Sequence, residues 1–244
     1  MSQLTLVPEV TAPHWLNAVF YSGGATSKNH RLHRHLVRLA RAKNPRGKLK
    51  LLYLPFCEEG SAPYYARIRR RYRSFGVTSF DQLILDKTFH SAASRRNEIS
   101  KIHQFDIIYL AGGNTFYFLH WLRKTKALSE IKRFAKAGGV IAGLSAGALI
   151  VSPNINLAAY PAFDADENAV GMKDLRALGL VDFEFYPHYS ARSKKQTQAL
   201  LAYSRTSKLP ILACDDGDGI VIEKSKIQAV GRLATFCGGQ RFCT

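Results

Sequence analysis

The sequence predicts an α/β fold built on a mainly parallel sheet. Two observations carry this. Over the first 150 residues, short apolar runs alternate with amphipathic helical segments. After residue 211 the apolar runs follow one another with no helical segment between them. Alternation implies helical crossovers, which make neighbouring strands parallel and cover both faces of their sheet. The close succession at the end predicts an antiparallel edge.

Strands are expected at 18–21, 49–54, 83–85, 106–110, 140–142, 183–186, 211–213, 219–222 and 227–230, each a short apolar run rich in branched or aromatic residues. Helices are expected over 29–42, 63–75, 92–103, 116–124 and 130–137. In the first, Leu32, Leu36, Leu39 and Ala40 form an apolar stripe opposite Arg31, Arg34, Arg38 and Arg41. Ser129 is the expected N-cap of the last, and Gly138-Gly139 its expected stop. Residues 153–174 lack periodicity and read as a long irregular excursion, the kind of loop that tends to carry function. No repeat, low-complexity segment or linker divides the chain, so residues 1–244 are read as a single domain.

Composition narrows the function classes. With 46% hydrophobic residues the chain can bury a substantial core. No run approaches the roughly 20 apolar residues of a membrane span. The longest early apolar run, Ala18-Val19-Phe20-Tyr21, is too short for a secretory leader, so a cytoplasmic location is expected. The cysteines (Cys57, Cys214, Cys237 and Cys243) have no metal-ligand spacing and read as reduced thiols. Cys237 and Cys243 are the pair that oxidation could join. No metal and no cofactor are expected.

Charge is the unusual quantity: 35 basic against 18 acidic residues leave +17. Between Lys28 and Lys50 there is no acidic residue, and Arg67-Ile68-Arg69-Arg70-Arg71-Tyr72-Arg73 forms a second basic cluster. Both read first as solvated helix faces. The alternative is an attractor for nucleic acid or anionic substrates, although no zinc-finger or RNP motif accompanies the charge.

Gly143-Leu144-Ser145-Ala146-Gly147 has the layout of a nucleophile elbow, lying between Val140-Ile141-Ala142 and Ala148-Leu149-Ile150-Val151. Small residues are needed there because a bulky Cβ would strike the neighbouring strand or helix. Open parallel sheets place ligands at the carboxyl ends of their strands, which singles out three further loops. Ala111-Gly112-Gly113-Asn114-Thr115 can turn backbone N–H groups into a site, as an oxyanion hole requires. Tyr186-Pro187-His188-Tyr189 holds the one histidine of eight at a strand exit, making His188 the expected base for Ser145. Cys214-Asp215-Asp216-Gly217-Asp218-Gly219 supplies an acid to orient the imidazole. Asp216 is the choice; Asp215 and Asp218 stay open, and Asp164 and Asp166 are more distant rivals. A calcium loop is disfavoured because Lys226 stands where position 12 needs glutamate.

The order Ser145, His188, Asp216 differs from that of α/β-hydrolases, chymotrypsin-like enzymes and subtilisins. Asp182 would restore the α/β-hydrolase order, but further strands follow His188 and no HGGG-like motif appears.

Four segments in order resemble peptidase family S51, which includes α-aspartyl dipeptidase (peptidase E) and cyanophycinase. They are Leu54-Pro55-Phe56, Gly112-Gly113-Asn114-Thr115-Phe116, Gly143-Leu144-Ser145-Ala146-Gly147-Ala148 and Pro187-His188-Tyr189. The resemblance covers the chain from about Lys50 to Val230. It implies a flavodoxin-like or class I glutamine amidotransferase-like three-layer sandwich, with serine replacing the amidotransferase cysteine. It implies Ser145 as nucleophile, His188 as base, Asp216 as third member, and the N–H groups of Gly113 and Ala146 as oxyanion donors. Asn114 and Thr115 match the peptidase E pattern; cyanophycinases carry a glutamine in that region.

The expected substrate is a short, acidic peptide, foremost a dipeptide with N-terminal aspartate. Arg192, Lys194 and Lys195 are the nearest cations in sequence to His188, and Arg192 is the candidate for a substrate carboxylate. Two other readings stand beside this one. The first is a cyanophycinase-like exopeptidase acting on β-aspartyl-arginine. The second is a catalytically silent relative that binds nucleic acid through its basic surface.

Overall fold

The computed structural model describes residues 10–24, 27–160 and 165–243. Strand–helix alternation builds its first half: β1 (Asn17–Tyr21), α1 (His30–Lys43), β2 (Leu49–Leu54), α2 (Ser61–Arg73), β3 (Val77–Gln82) and α3 (Ala92–Ser100). A 3₁₀ turn, β4 (Ile107–Leu110), α4 (Thr115–Lys124), α5 (Ala127–Lys136), β5 (Val140–Leu144) and α6 (Ala146–Val151) follow. The second half contains α7 (Asn156–Ala159), β6 (Glu184–Tyr186), α8 (Lys194–Ser204) and β7 (Ile211–Cys214). It closes with β8 (Gly219–Glu223), β9 (Lys226–Val230), β10 (Leu233–Cys237) and β11 (Gln240–Cys243).

Seven strands form the main sheet in the order β3-β2-β4-β5-β1-β8-β9. The first five are mutually parallel, and β8 and β9 add the expected antiparallel edge. Alternate residues serve opposite faces. Val19 and Tyr21 of β1 join Leu32, Leu36 and Leu39 of α1 and Ile68 and Tyr72 of α2 in one core. Ala18 and Phe20 face the other core, with Phe118, Ile131 and Ile150. Burial on both sides explains why these strands read as unbroken apolar runs.

One antiparallel edge was the expectation, but the chain makes a second sheet in the order β11-β10-β7-β6. Strands β6 and β7 are parallel, joined through α8, while β10 and β11 are antiparallel. This sheet packs over the end of β1: Phe20 meets Phe183 and Phe185 at ring-centroid distances of 5.5 and 5.3 Å. The carboxyl ends of β6 and β7 are thereby held beside those of β1 and β5.

Other local expectations shift. Residues 83–85 are not a strand; β3 lies earlier, and Leu83 and Leu85 are buried just past its end. Edge strand β3 (Val-Thr-Ser-Phe-Asp-Gln) is half exposed, so its apolar signal is weaker than that of the two leucines tucked under it. Ser129 does not cap α5. The helix starts three residues earlier than expected, after Lys126 at φ 67°, and the Ser129 hydroxyl donates to the Lys126 carbonyl. The expected stop is present: Gly138 at φ 81° and Gly139 donate back to Ala135 and Phe134. Cys237 and Cys243 sit at opposite ends of the β10–β11 ladder, paired with Gln240 and Ala234, and all four cysteines are free. Among the described residues, no helix is long and apolar enough to cross a membrane.

Candidate active site

Five strand exits converge on Ser145. The serine follows β5 with φ 49° and ψ −110°, a conformation that packing must impose on a residue bearing a Cβ. The elbow is tight on both sides. A Cβ on Gly143 would lie 2.6 Å from the Gly147 carbonyl oxygen, and one on Gly147 would lie 2.3 Å from that of Leu110. The Ser145 N–H donates to the Tyr21 carbonyl at 3.0 Å, tying the turn to β1.

The exits of β6 and β7 bring in the other two groups. The Ser145 hydroxyl lies 2.9 Å from His188 Nε2, and His188 Nδ1 lies 2.7 Å from Asp216 Oδ1. His188 also has positive φ, 57°. Its backbone N–H donates to Ser22 Oγ at 2.7 Å, and its carbonyl accepts from Gln196. The Ser22 hydroxyl in turn donates to the Cys214 carbonyl at 2.7 Å. One fully buried hydroxyl after β1 thus clamps the exits of β6 and β7 together.

Gly23 completes the clamp. A Cβ there would fall 2.3 Å from His188 Cε1 and 2.4 Å from Asp216 Oδ1, so the histidine–aspartate pair lies against bare backbone. Its carbonyl accepts from Gly217 N–H and from the Asn29 side chain. Neither Ser22 nor Gly23 was singled out above. The available signal was Ser-Gly-Gly directly after the predicted strand at 18–21.

The competing acids separate cleanly. Asp215 accepts the Asp216 N–H, Asp218 accepts the Arg232 N–H, and Asp182 holds Thr11. Asp166 accepts the Thr115 N–H at 2.7 Å. Asp164 lies outside the described residues. Of the described candidates, Asp216 is the one that meets the imidazole.

The glycine turn after β4 faces Ser145. Gly113 has φ 136°, and a Cβ on it would overlap the Phe56 ring at 2.1 Å. Gly147 N–H is consumed by the Ala111 carbonyl. Among the described residues no hydrogen bond occupies the N–H of Gly113 or of Ala146, the first residue of α6. Asn114 caps α4 through Tyr117 N–H and donates to the Glu167 carbonyl. Thr115 is buried, and its hydroxyl has no hydrogen-bond partner among the described residues. Arg192 stands exposed ahead of α8.

Two cavities flank the turn. One of about 360 Å³ contains Ser145, His188, Thr115, Asp166 and Gln196. The other, about 410 Å³, lies across Gly112-Gly113 under α2. Arg192 lines neither. The described residues contain no group of three or more His, Cys, Asp or Glu arranged to hold a metal.

A hydroxyl bonded to an imidazole whose far nitrogen meets a carboxylate is the arrangement that activates a serine. Residues 18–230, which hold every member of it, match the profile of Peptidase family S51. The chain belongs to peptidase family S51.

Relatives of this S51 member agree in kind. An uncharacterised peptidase of Pasteurella multocida (strain Pm70) is 32% identical over 138 residues, covering 57% of this chain and 66% of the relative. The chain thus spans just under two thirds of the length of that relative. Peptidase E of Nostoc sp. is 25% identical over 196 residues, covering 77% of this chain and 74% of the relative. A crystal structure of a candidate peptidase E protein from Listeria monocytogenes EGD-e superposes with a TM-score of 0.64 at 26% identity, covering 88% of this chain and 99% of that one. The fold is therefore the mixed α/β sandwich, with a mostly parallel central sheet flanked by helices, that the motifs implied.

Proposed function

We propose that this S51 member is a serine peptidase that hydrolyses short peptides, foremost dipeptides with N-terminal aspartate. The observation that carries the reading is the chain of contacts Ser145–His188–Asp216, at 2.9 and 2.7 Å. Ser145 Oγ attacks the scissile carbonyl while His188 Nε2 takes its proton. Asp216 holds the imidazole with Nδ1–H toward itself, leaving Nε2 as the acceptor. The N–H groups of Gly113 and Ala146 receive the developing oxyanion; in such sites the loss of one donor costs roughly 10²–10³ in rate. His188 then returns the proton to the leaving amine, and a water repeats the sequence on the acyl-enzyme.

The site is open to a peptide: the His188 and Asp216 side chains are 51% and 39% exposed. The kinship with peptidase E supports the aspartyl preference. Four free cysteines support a reducing, cytoplasmic setting.

The test is a panel of Asp-Xaa, Glu-Xaa and β-aspartyl dipeptides with wild type and Ser145→Ala, alongside labelling by a fluorophosphonate probe. Turnover and labelling at Ser145 are expected in the wild type and neither in the variant. Hydrolysis that survives in Ser145→Ala would overturn the mechanism.

A further inference from the structure

The basic cluster on α2 is not wholly a solvated face. Arg71 is only partly exposed and lines the 410 Å³ cavity across Gly112-Gly113 from Ser145, with Arg67 nearer the surface. We propose that this cavity binds a carboxylate of the peptide cleaved at Ser145, with Arg71 as the specificity-determining residue and Arg67 at the mouth. The inference rests on the reading of Ser145 as nucleophile.

Continuity with the reacting centre is the first support. Ala111, Gly112, Gly113 and Leu144 form one wall, and Gly113 also lines the cavity that holds Ser145 and His188. A peptide whose carbonyl oxygen meets Gly113 N–H can therefore reach into either space.

Charge decides which space takes the anion. The cavity around His188 carries the Asp166 carboxylate and no lysine or arginine among its lining residues. The α2 cavity carries two guanidinium groups against the single carboxylate of exposed Glu59. At separations of a few Å a carboxylate is repelled from the first and drawn into the second.

Hydrogen bonding points the same way. Tyr109 lines the cavity, and its buried hydroxyl has no hydrogen-bond partner among the described residues. Burial pushes its pKa up to about 12, against the lowering influence of Arg71, so at neutral pH it keeps its proton and can only donate or accept as a phenol. A buried donor without an acceptor is costly, and a substrate carboxylate would supply one. Tyr64, 58% exposed at the mouth with Arg67 stacked over its ring at 5.3 Å, offers an aromatic surface to the rest of the peptide.

The carboxylate can come from the side chain of the N-terminal residue or from the peptide's C-terminus. His188 must pass its proton to the leaving amine, so the leaving residue lies on the His188 side. That favours the side chain of the acyl residue in the α2 cavity.

The experiment compares kcat/KM for Asp-Leu with Asn-Leu, and for Asp-Leu with Asp-Leu-amide. It uses the wild type, Arg71→Gln, Arg71→Lys, Arg67→Gln and Tyr109→Phe. Fluorophosphonate labelling of Ser145 in every variant reports an intact nucleophile independently of specificity. In the wild type the acidic peptide is expected to be preferred. Arg71→Gln is expected to cut that preference about tenfold to a hundredfold, as loss of a charge-assisted hydrogen bond does, with partial rescue in Arg71→Lys. A loss confined to the Asp/Asn comparison identifies a side-chain carboxylate, and one confined to the acid/amide comparison a C-terminal one. A labelled wild type with no preference for either carboxylate overturns the inference and leaves the nucleophile standing. A preference unchanged in Arg71→Gln overturns it too. If that variant fails to fold, a preference unchanged in both Arg67→Gln and Tyr109→Phe does the same. Absence of labelling in the wild type overturns the underlying mechanism instead.

Discussion

Gly23→Ala changes none of the proposed catalytic groups, yet it should slow reaction at Ser145. The new Cβ would arrive 2.3 Å from His188 Cε1, 2.6 Å from its Nδ1 and 2.4 Å from Asp216 Oδ1. Ordinary contact begins near 3.4 Å, so the ring must retreat by about 1.1 Å. It cannot swing away freely: its backbone is held at φ 57° by the Ser22 hydroxyl and its Nδ1 by Asp216. Nor can the alanine retreat, since the Gly23 carbonyl accepts from both Gly217 and Asn29. The φ of Gly23 is not positive, so alanine suits the backbone there and the effect is purely steric. A misplacement of about 1 Å at a reacting group costs roughly 10²-fold, or about 2.7 kcal/mol of barrier. The assay is the second-order rate of fluorophosphonate labelling at Ser145, which needs no knowledge of the substrate, with a thermal melt to show that the fold persists. Labelling at the wild-type rate in a folded Gly23→Ala protein would refute the placement of His188 and Asp216 against Gly23.

Two further outcomes follow from buried groups outside the proposed catalytic trio. Ser22→Ala removes the acceptor of the part-buried His188 N–H and one of the two donors to the Cys214 carbonyl, which keeps the Tyr189 N–H; leaving the His188 N–H unpaired costs about 1–3 kcal/mol, so urea melts should show a loss together with slower labelling. Equal stability and labelling would remove Ser22 from its clamping role. His33, buried against Tyr21 and Tyr72, has its pKa lowered by desolvation, and by Arg71, from 6.5 to about 3. The folded state therefore resists a proton that the unfolded chain accepts. Stability is full above pH 6.5, falls as pH drops through it, and the loss is complete near pH 3. At pH 5 the deficit is about 2 kcal/mol, from 1.5 units at about 1.36 kcal/mol each. Urea melts at pH 7 and pH 5 should show this loss in the wild type and not in His33→Gln; parallel losses in both would exclude His33 as the cause.

Legibility differed from residue to residue for physical reasons. The elbow was readable because its constraint is local: Gly143 and Gly147 must be small to let β5 turn into α6, whatever surrounds them. His188 and Asp216 were readable as strand-exit residues, because exits gather at one edge of a parallel sheet. Ser22 and Gly23 were not, since their roles arise only where the exits of β1, β6 and β7 meet. The stretch around 77–85 was misplaced because an edge strand alternates weakly while Leu83 and Leu85 mimic a core strand. Helical periodicity separated the arginines from the apolar stripe of α1. On α2 it could not tell the exposed Arg70 from Arg71, which turns into a cavity.

The sequence by itself determined the α/β alternation, the elbow at Ser145 and the identity of the exits that carry histidine, aspartate and glycine. These depend on periodicity and on steric limits within a few residues. Only the tertiary structure decided that β6 and β7 leave the main sheet for a second one, and so which acid of several reaches His188. It alone decided that Gly23 must be bare and that Arg71 faces inward. Those outcomes come from contacts between segments up to 190 or so residues apart, such as Ser22 with Cys214, and no local pattern encodes a distance across the fold.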